Sequence, residues 1–404
     1  MTAAWLVFWV CLAQVLTQIG ANTWPVLLPH LLHEWSLSNS EAGWITGLMY
    51  AAYTLSVPFL VTATDRIDPK KIYLLGVSMT IAAHLGFALF ADGFWTAALF
   101  RALAGIGWAG TYMTGLKLLA DRVDGRMLSR ATAGHAASIG VSGALSFVLA
   151  DMIASRAGWE ASFFSAGVCA AAALLIALFA TPWQQAKPAP AGRMFEFGPV
   201  LRNRHAMAYS IAYCVHTWEM NALRGWAVAF LAWVAMATEA EHIWIAPAAV
   251  AMTMSLTGTG ASLFGNELSI RLGRQRLVRY AMSLSILAAA TIGFLGPASY
   301  SIAVAFVLGY GMIIWLDSSS LTAGAAGAAL PGRRGATLAI HSMLGYAGGF
   351  VGPLAIGVTL DMAGGMSHTG WGWAFASTAV VLLAGMIAFS ILRPRDLAGG
   401  RADG

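Results

Sequence analysis

The chain has 404 residues, of which 58% are apolar and only 10% charged, and its formal net charge is +5. Soluble domains run at roughly 45–50% apolar and 25% charged, so the composition excludes an ordinary water-soluble domain. The positive balance does not mark a nucleic-acid binder either, because no basic stripe interleaves with stacking aromatics.

A membrane-spanning helix needs about 20 mostly apolar residues, and twelve stretches qualify. The first, 4–28, carries Gln14, Gln18 and Asn22 at four-residue intervals. It has neither a basic leader nor a small-residue cleavage site, so it reads as a retained helix rather than a signal peptide. The second and third, 42–62 and 72–91, flank a polar break with Asp65, Arg66 and Lys70. The fourth, 95–118, contains Arg101, with Gly105, Trp108 and Tyr112 following on the same helical face. On the fifth, 132–153, His135, Ser138, Ser142 and Ser146 form a polar stripe; the sixth is 161–181. A break rich in proline and cations follows, from Pro182 to His205.

The seventh stretch, 206–234, is the most polar, with His216, Thr217, Glu219, Asn221 and Arg224. The eighth, ninth and tenth are 245–268, 277–296 and 299–323, the last carrying Asp317 ahead of three serines. The eleventh, 335–362, contains His341, and the twelfth is 371–392. Continuous apolarity, rather than alternation over about ten residues, selects helices over a barrel. The predicted fold is an all-α integral membrane protein. Its twelve transmembrane helices divide into two pseudo-symmetric six-helix halves, 1–181 and 206–392, joined by a linker at 182–205 and followed by a tail at 393–404.

All but three of the 23 lysines and arginines lie at every second break or in the tail. The exceptions are Arg156, in an intervening break, and Arg101 and Arg224, inside apolar stretches. Cytoplasmic loops retain basic residues, so both termini are predicted to be cytoplasmic, in a bacterial inner (plasma) membrane. Cys11, Cys169 and Cys214 sit in predicted spans without metal-ligand spacing and read as buried small hydrophobes.

The halves repeat one another. Arg66 and Lys71 recur as Arg271 and Arg276, Gly105 and Gly107 as Gly309 and Gly311, and Asp151-Met152 as Asp361-Met362. Parallel six-span repeats describe one transporter architecture, and the chain resembles the major facilitator superfamily of secondary transporters over essentially its whole length. That family's pattern between spans two and three, close to G-x-L-x-D-R-x-G-R-K, is matched here by Asp65, Arg66 and Lys70 but not at Val61, Asp68 or Pro69. The second copy keeps Arg271, Gly273 and Arg274 but has Ile270 in place of the acid. Arg101, Gly105 and Gly107 match the pattern of span four, whereas the family's antiporter run G-P-x-x-G-G is missing from span five.

The resemblance implies alternating access around a central cavity formed by spans one, four, seven and ten. It also implies gating roles for Asp65, Arg66 and Arg271, and proton coupling or anion binding for Arg101. An ionisable group at mid-membrane costs roughly 2.5–3.5 kcal/mol on insertion scales and normally faces an interior or a cavity. Arg101, His216, Glu219, Arg224 and Asp317 are therefore candidate binding or coupling residues, with packing clamps as the bland reading of each. Gln14, Gln18 and Asn22 suit either substrate hydrogen bonding or helix–helix adhesion. Trp108, Tyr112, His135 and His341 complete the candidates.

No P-loop, zinc-protease or nucleophile-elbow pattern occurs, so the chain is read as a non-enzyme with no cofactor and no metal site. The function expected is proton-coupled transport of a small organic anion by a monomer, with the solute, protons and the bilayer as partners and no nucleic acid. Proton-antiport efflux of drugs or metabolites is the alternative within transport, favoured by 16 tryptophans and 18 methionines. A transporter-like membrane sensor is the alternative of another class.

Overall fold

The computed structural model describes residues 2–64, 66–183, 197–240, 243–392 and 394, apart from the side chains of Gly125, Arg126 and Ser129. Every regular element among the described residues is helical. Helices α1 (Ala3–Gln18) and α2 (Thr23–Glu34) together make the first span, predicted as one continuous helix. The break has a local cause. Pro25 has no N–H with which to reach the carbonyl of Ala21, so one rung of the helical ladder cannot form. Gly20 is required beside it, because a Cβ there would collide with the His84 ring.

Next come α3 (Asn39–Ala63), α4 (Pro69–Phe90), α5 (Phe94–Ala120) and α6 (Gly125–Ala180). The length of α6 is that of two spans, divided at Gly158, whose φ of 86° belongs to the left-handed region that glycine tolerates. After the short α7 (Gly198–Leu201) run α8 (Arg204–Ala237), α9 (Pro247–Leu272) and α10 (Arg274–Leu295). The tenth span is also broken, into α11 (Tyr300–Trp315) and α12 (Ser318–Gly327), and α13 (Arg334–Met362) and α14 (His368–Leu392) follow.

Among the described residues nine helical stretches are long and apolar enough to cross a membrane. Counting α6 as two and adding α5, which carries Arg101 and Lys117, and α9, which is rich in Gly, Ser and Thr, gives the twelve spans expected.

Two compact units divide the chain: Met1–Trp35 with Leu48–Met194, and Ser36–Gly47 with Phe195–Gly404. In the first unit α4 crosses α5 on glycines, with Gly76 and Gly110 in close backbone contact. Small residues let helices approach where water supplies no hydrophobic drive between them. Lys70, which fits the family's pattern between spans two and three, is buried. Its ammonium donates to the carbonyls of Leu178 and Thr181 at 2.8 and 2.6 Å and lies 4.1 Å over the Trp183 ring. It therefore satisfies the C-terminal end of α6, where a helix carries partial negative charge.

In the second unit a core of Ala208, Tyr209, Ala212, Val278, Met282, Leu321, Ala325 and Phe389 joins α8, α10, α12 and α14. Along α13, Gly345, Gly348 and Gly352 seat against Tyr213 and the α8 carbonyls of Cys214 and Trp218, as expected of glycines that serve packing. The start of α3 packs on the other end of α13. Ser38 and Glu41 form a reciprocal capping box, and Asp361 accepts four hydrogen bonds from Asn39 and Ser40.

Candidate functional site

In the first unit Arg101 lies on α5, 2% exposed. Its Nη1 donates to the carbonyl of Ala21 at 3.4 Å, the carbonyl that Pro25 cannot reach. Its Nε has no partner, and among the described residues no carboxylate stands within 4.0 Å. A buried guanidinium held at one edge by a long hydrogen bond is a cation with capacity to spare. Gln14 is fully buried on α1 with both amide atoms unpartnered.

Asn22 differs. Its Nδ2 donates to Gly143 O at 2.8 Å and its N–H to Ser146 Oγ at 2.9 Å, so it anchors the break in span one to α6. Gln18 is buried beside the same break. Trp108 packs against Tyr50 and Tyr53, with centroids 6.0 and 5.0 Å away. Tyr112 stacks on His135 at 5.5 Å, and His135 Nε2 meets the Tyr112 carbonyl at 2.8 Å, leaving Nδ1 without a partner. His84, against the break at Gly20, was not among the sequence candidates. A histidine in an apolar stretch was the signal available for it.

The second unit gathers its ionisable groups around α8. His216 Nδ1 and Asp317 Oδ1 are 3.0 Å apart, both buried. The two atoms face each other, but neither has an aligned hydrogen-bond partner. Asp317 occupies the N-cap position of α12 at the break in span ten, without capping its own helix. The break itself seats the Leu316 carbonyl on Gly265 of α9.

Glu219, one turn from His216, accepts from Ser285 Oγ at 3.3 Å and from Tyr310 OH at 3.0 Å. These two hydroxyls come from α10 and α11, and no sequence pattern pointed to them. Arg224 stands 5.7 Å from the Trp315 ring and forms no ion pair with Glu219. The spacing of five argued against that pair on one helix.

His341 lies flat on Tyr213, centroids 4.1 Å apart, between Ser210 Oγ at 3.4 Å and Thr322 Oγ1 at 3.3 Å. The other face of the file continues to His216, 5.7 Å from Tyr213. Helices α8 and α13 and one helix break thus bring two histidines and two carboxylates together among buried polar groups. Among the described residues no cluster fits a metal ion.

Of the gating candidates, Asp65 lies outside the described residues. Arg66 is exposed, and Arg271 pairs with Glu267 on its own helix at 3.0 Å.

The sequence profile described as the Major Facilitator Superfamily matches residues 10–353. Two uncharacterised MFS-type transporters of Bacillus subtilis (strain 168) are similar. YbcL is 23% identical over 198 residues, 47% of this chain and 49% of YbcL. YwoD is 24% identical over 115 residues, 28% of this chain and 25% of YwoD. The chain thus spans about half the length of the first relative and about a quarter of the second. Among solved structures, a bacterial homologue of the human lysosomal transporter Spinster superposes with a TM-score of 0.76 at 16% identity, covering 96% of each chain. The nucleoside transporter NupG gives 0.75 at 15% identity, covering 96% of this chain and 98% of its own. These structural likenesses are of fold.

Proposed function

The chain belongs to the Major Facilitator Superfamily, and on that premise we propose that it is a proton-coupled carrier of a small organic anion. The observation that carries the reading is Arg101, buried with an unpartnered Nε and with no carboxylate within 4.0 Å among the described residues. An anion reaching it exchanges hydration for charge-assisted hydrogen bonds, which a planar guanidinium makes in pairs and a lysine does not. Gln14 offers a further donor and acceptor, both unpartnered.

The proton is assigned to the second unit. Ionisable groups are costly in hydrocarbon and are kept there for a task, so Asp317 and His216, buried 3.0 Å apart, are the pair to which the proton is assigned. Glu219, steadied by two hydroxyl donors, is the second acceptor. Loading a proton with the anion removes net buried charge, which favours the closed intermediate of alternating access. Termini on the cytoplasmic side of a bacterial inner membrane complete the proposal.

The test uses purified protein. Saturable thermal stabilisation by one class of carboxylates is expected, lost in Arg101→Lys. In proteoliposomes Glu219→Gln or Asp317→Asn should abolish proton-driven accumulation while leaving substrate exchange. Stabilisation by lipophilic cations in place of carboxylates, undiminished in Arg101→Lys, would replace this reading with efflux.

A further inference from the structure

Gly309 on α11 is unlike the glycines around it. Its repeat counterpart Gly105 is packed against the Met49 carbonyl, and Gly311 against Met254, but a Cβ on Gly309 would meet nothing within 4 Å. Close helix approach does not explain it. Gly309 instead opens an apolar groove of about 350 Å³ between α10 and α11, lined by Leu284, Leu287, Thr291, Phe306 and Tyr310 among others. The Thr291 hydroxyl is tied back to its own helix through Leu287 O, so it presents a methyl group. Leu284 and Leu287 are 47% and 63% exposed. On the outside of a membrane-spanning segment such a face meets hydrocarbon.

The groove continues a stripe along α10. Arg276, Tyr280, Leu284, Leu287 and Thr291 follow one another at intervals of four, four, three and four, on one helical face. From Arg276 to Thr291 the rise is about 22 Å at 1.5 Å per residue, which equals half the roughly 40–45 Å depth of a bilayer with its headgroups. The order is cation, interfacial aromatic, then aliphatic groove, the order of groups in one phospholipid read from headgroup to chain end. Arg276 and Tyr280 are exposed, and Arg276 enters no ion pair among the described residues.

We propose that this stripe is a phospholipid site, with the phosphate at Arg276, the glycerol region along Tyr280 and one acyl chain in the groove over Gly309. Tyr310 lines the groove and its hydroxyl donates to Glu219, so the lipid would touch a residue that orients a candidate proton carrier. The site itself rests on the membrane-spanning fold and not on the substrate reading.

Native mass spectrometry of the full chain, released from nanodiscs containing phosphatidylglycerol, tests it. Wild type is expected to retain one phosphatidylglycerol at collision energies that strip the rest. Gly309→Leu, which fills an open space, and Arg276→Gln, which alters an exposed side chain, should each lower that retention about tenfold, the effect of losing one good contact set. Monodisperse elution of both variants checks folding, and Ala305→Leu narrows the same groove from α11 should Gly309→Leu fail that check. Equal retention in wild type and variants would overturn the proposal. Loss in Arg276→Gln alone would reduce it to a headgroup contact and overturn the groove, and retention of detergent in place of phospholipid would make it an adventitious hydrocarbon slot.

Discussion

Replacing Asp361 by alanine should loosen the start of α3. A helix leaves its first N–H groups without intrahelical partners, and here each has a named one. Ser38 and Glu41 satisfy each other, and Asp361 takes the N–H of Asn39 at 3.1 Å and that of Ser40 at 2.7 Å, with the Asn39 amide and Ser40 hydroxyl added at 2.8 and 2.5 Å. Hydrogen bonds to a charged group contribute about 1.5–3 kcal/mol each where water is excluded. The carboxylate is largely exposed, so water replaces much of this on its loss, and because it caps two N–H groups a value at the upper end for a lost N-cap, about 2 kcal/mol, is expected for local opening. At 1.4 kcal/mol per factor of ten, amide exchange across residues 39–42 should accelerate about 25-fold in Asp361→Ala. Asp361→Asn keeps one acceptor oxygen and should fall several-fold short of that. Hydrogen–deuterium exchange read by mass spectrometry on peptides from 36–47 measures the effect, with α4 peptides as the unchanged control. Exchange within twofold of wild type in Asp361→Ala would refute the cap.

Lys70→Met keeps the aliphatic stem but strands the Leu178 and Thr181 carbonyls. It should cost about 1–3 kcal/mol, visible as a lower thermal unfolding midpoint, and an unchanged midpoint would contradict the clasp. Pro25→Ala restores an N–H that competes with Arg101 for the Ala21 carbonyl. Transport should fall and exchange at residues 19–25 should slow, whereas faster exchange there would count against the account of the break. A periplasm-dependent reporter fused after Gly404 should stay silent, and one inserted near Ser155 should report; the reverse pattern would sink the proposed orientation.

The twelve spans were legible in the sequence because bilayer thickness dictates length and apolarity in every one of them. Charged residues inside those spans stood out for the same reason, and Arg101, His216, Glu219 and Asp317 all prove buried. Their pairings were not legible. His216 sits one turn from Glu219, yet the carboxylate against its ring is Asp317, delivered by a helix break that no hydropathy pattern marks. Gln14 and Asn22 share one periodic stripe, but Asn22 is tied to α6 and Gln14 is not. Lys70 fitted the family's pattern between spans two and three, but that its ammonium finishes the end of α6 was not legible.

By itself, then, the sequence determined which segments enter the membrane and which of their residues are costly to place there, since hydrophobic transfer is local and additive along the chain. Which donor meets which acceptor was decided only by tertiary structure. A buried polar group takes whichever partner packing brings within about 3 Å, and helix breaks and glycine crossings set that distance between residues far apart in the chain.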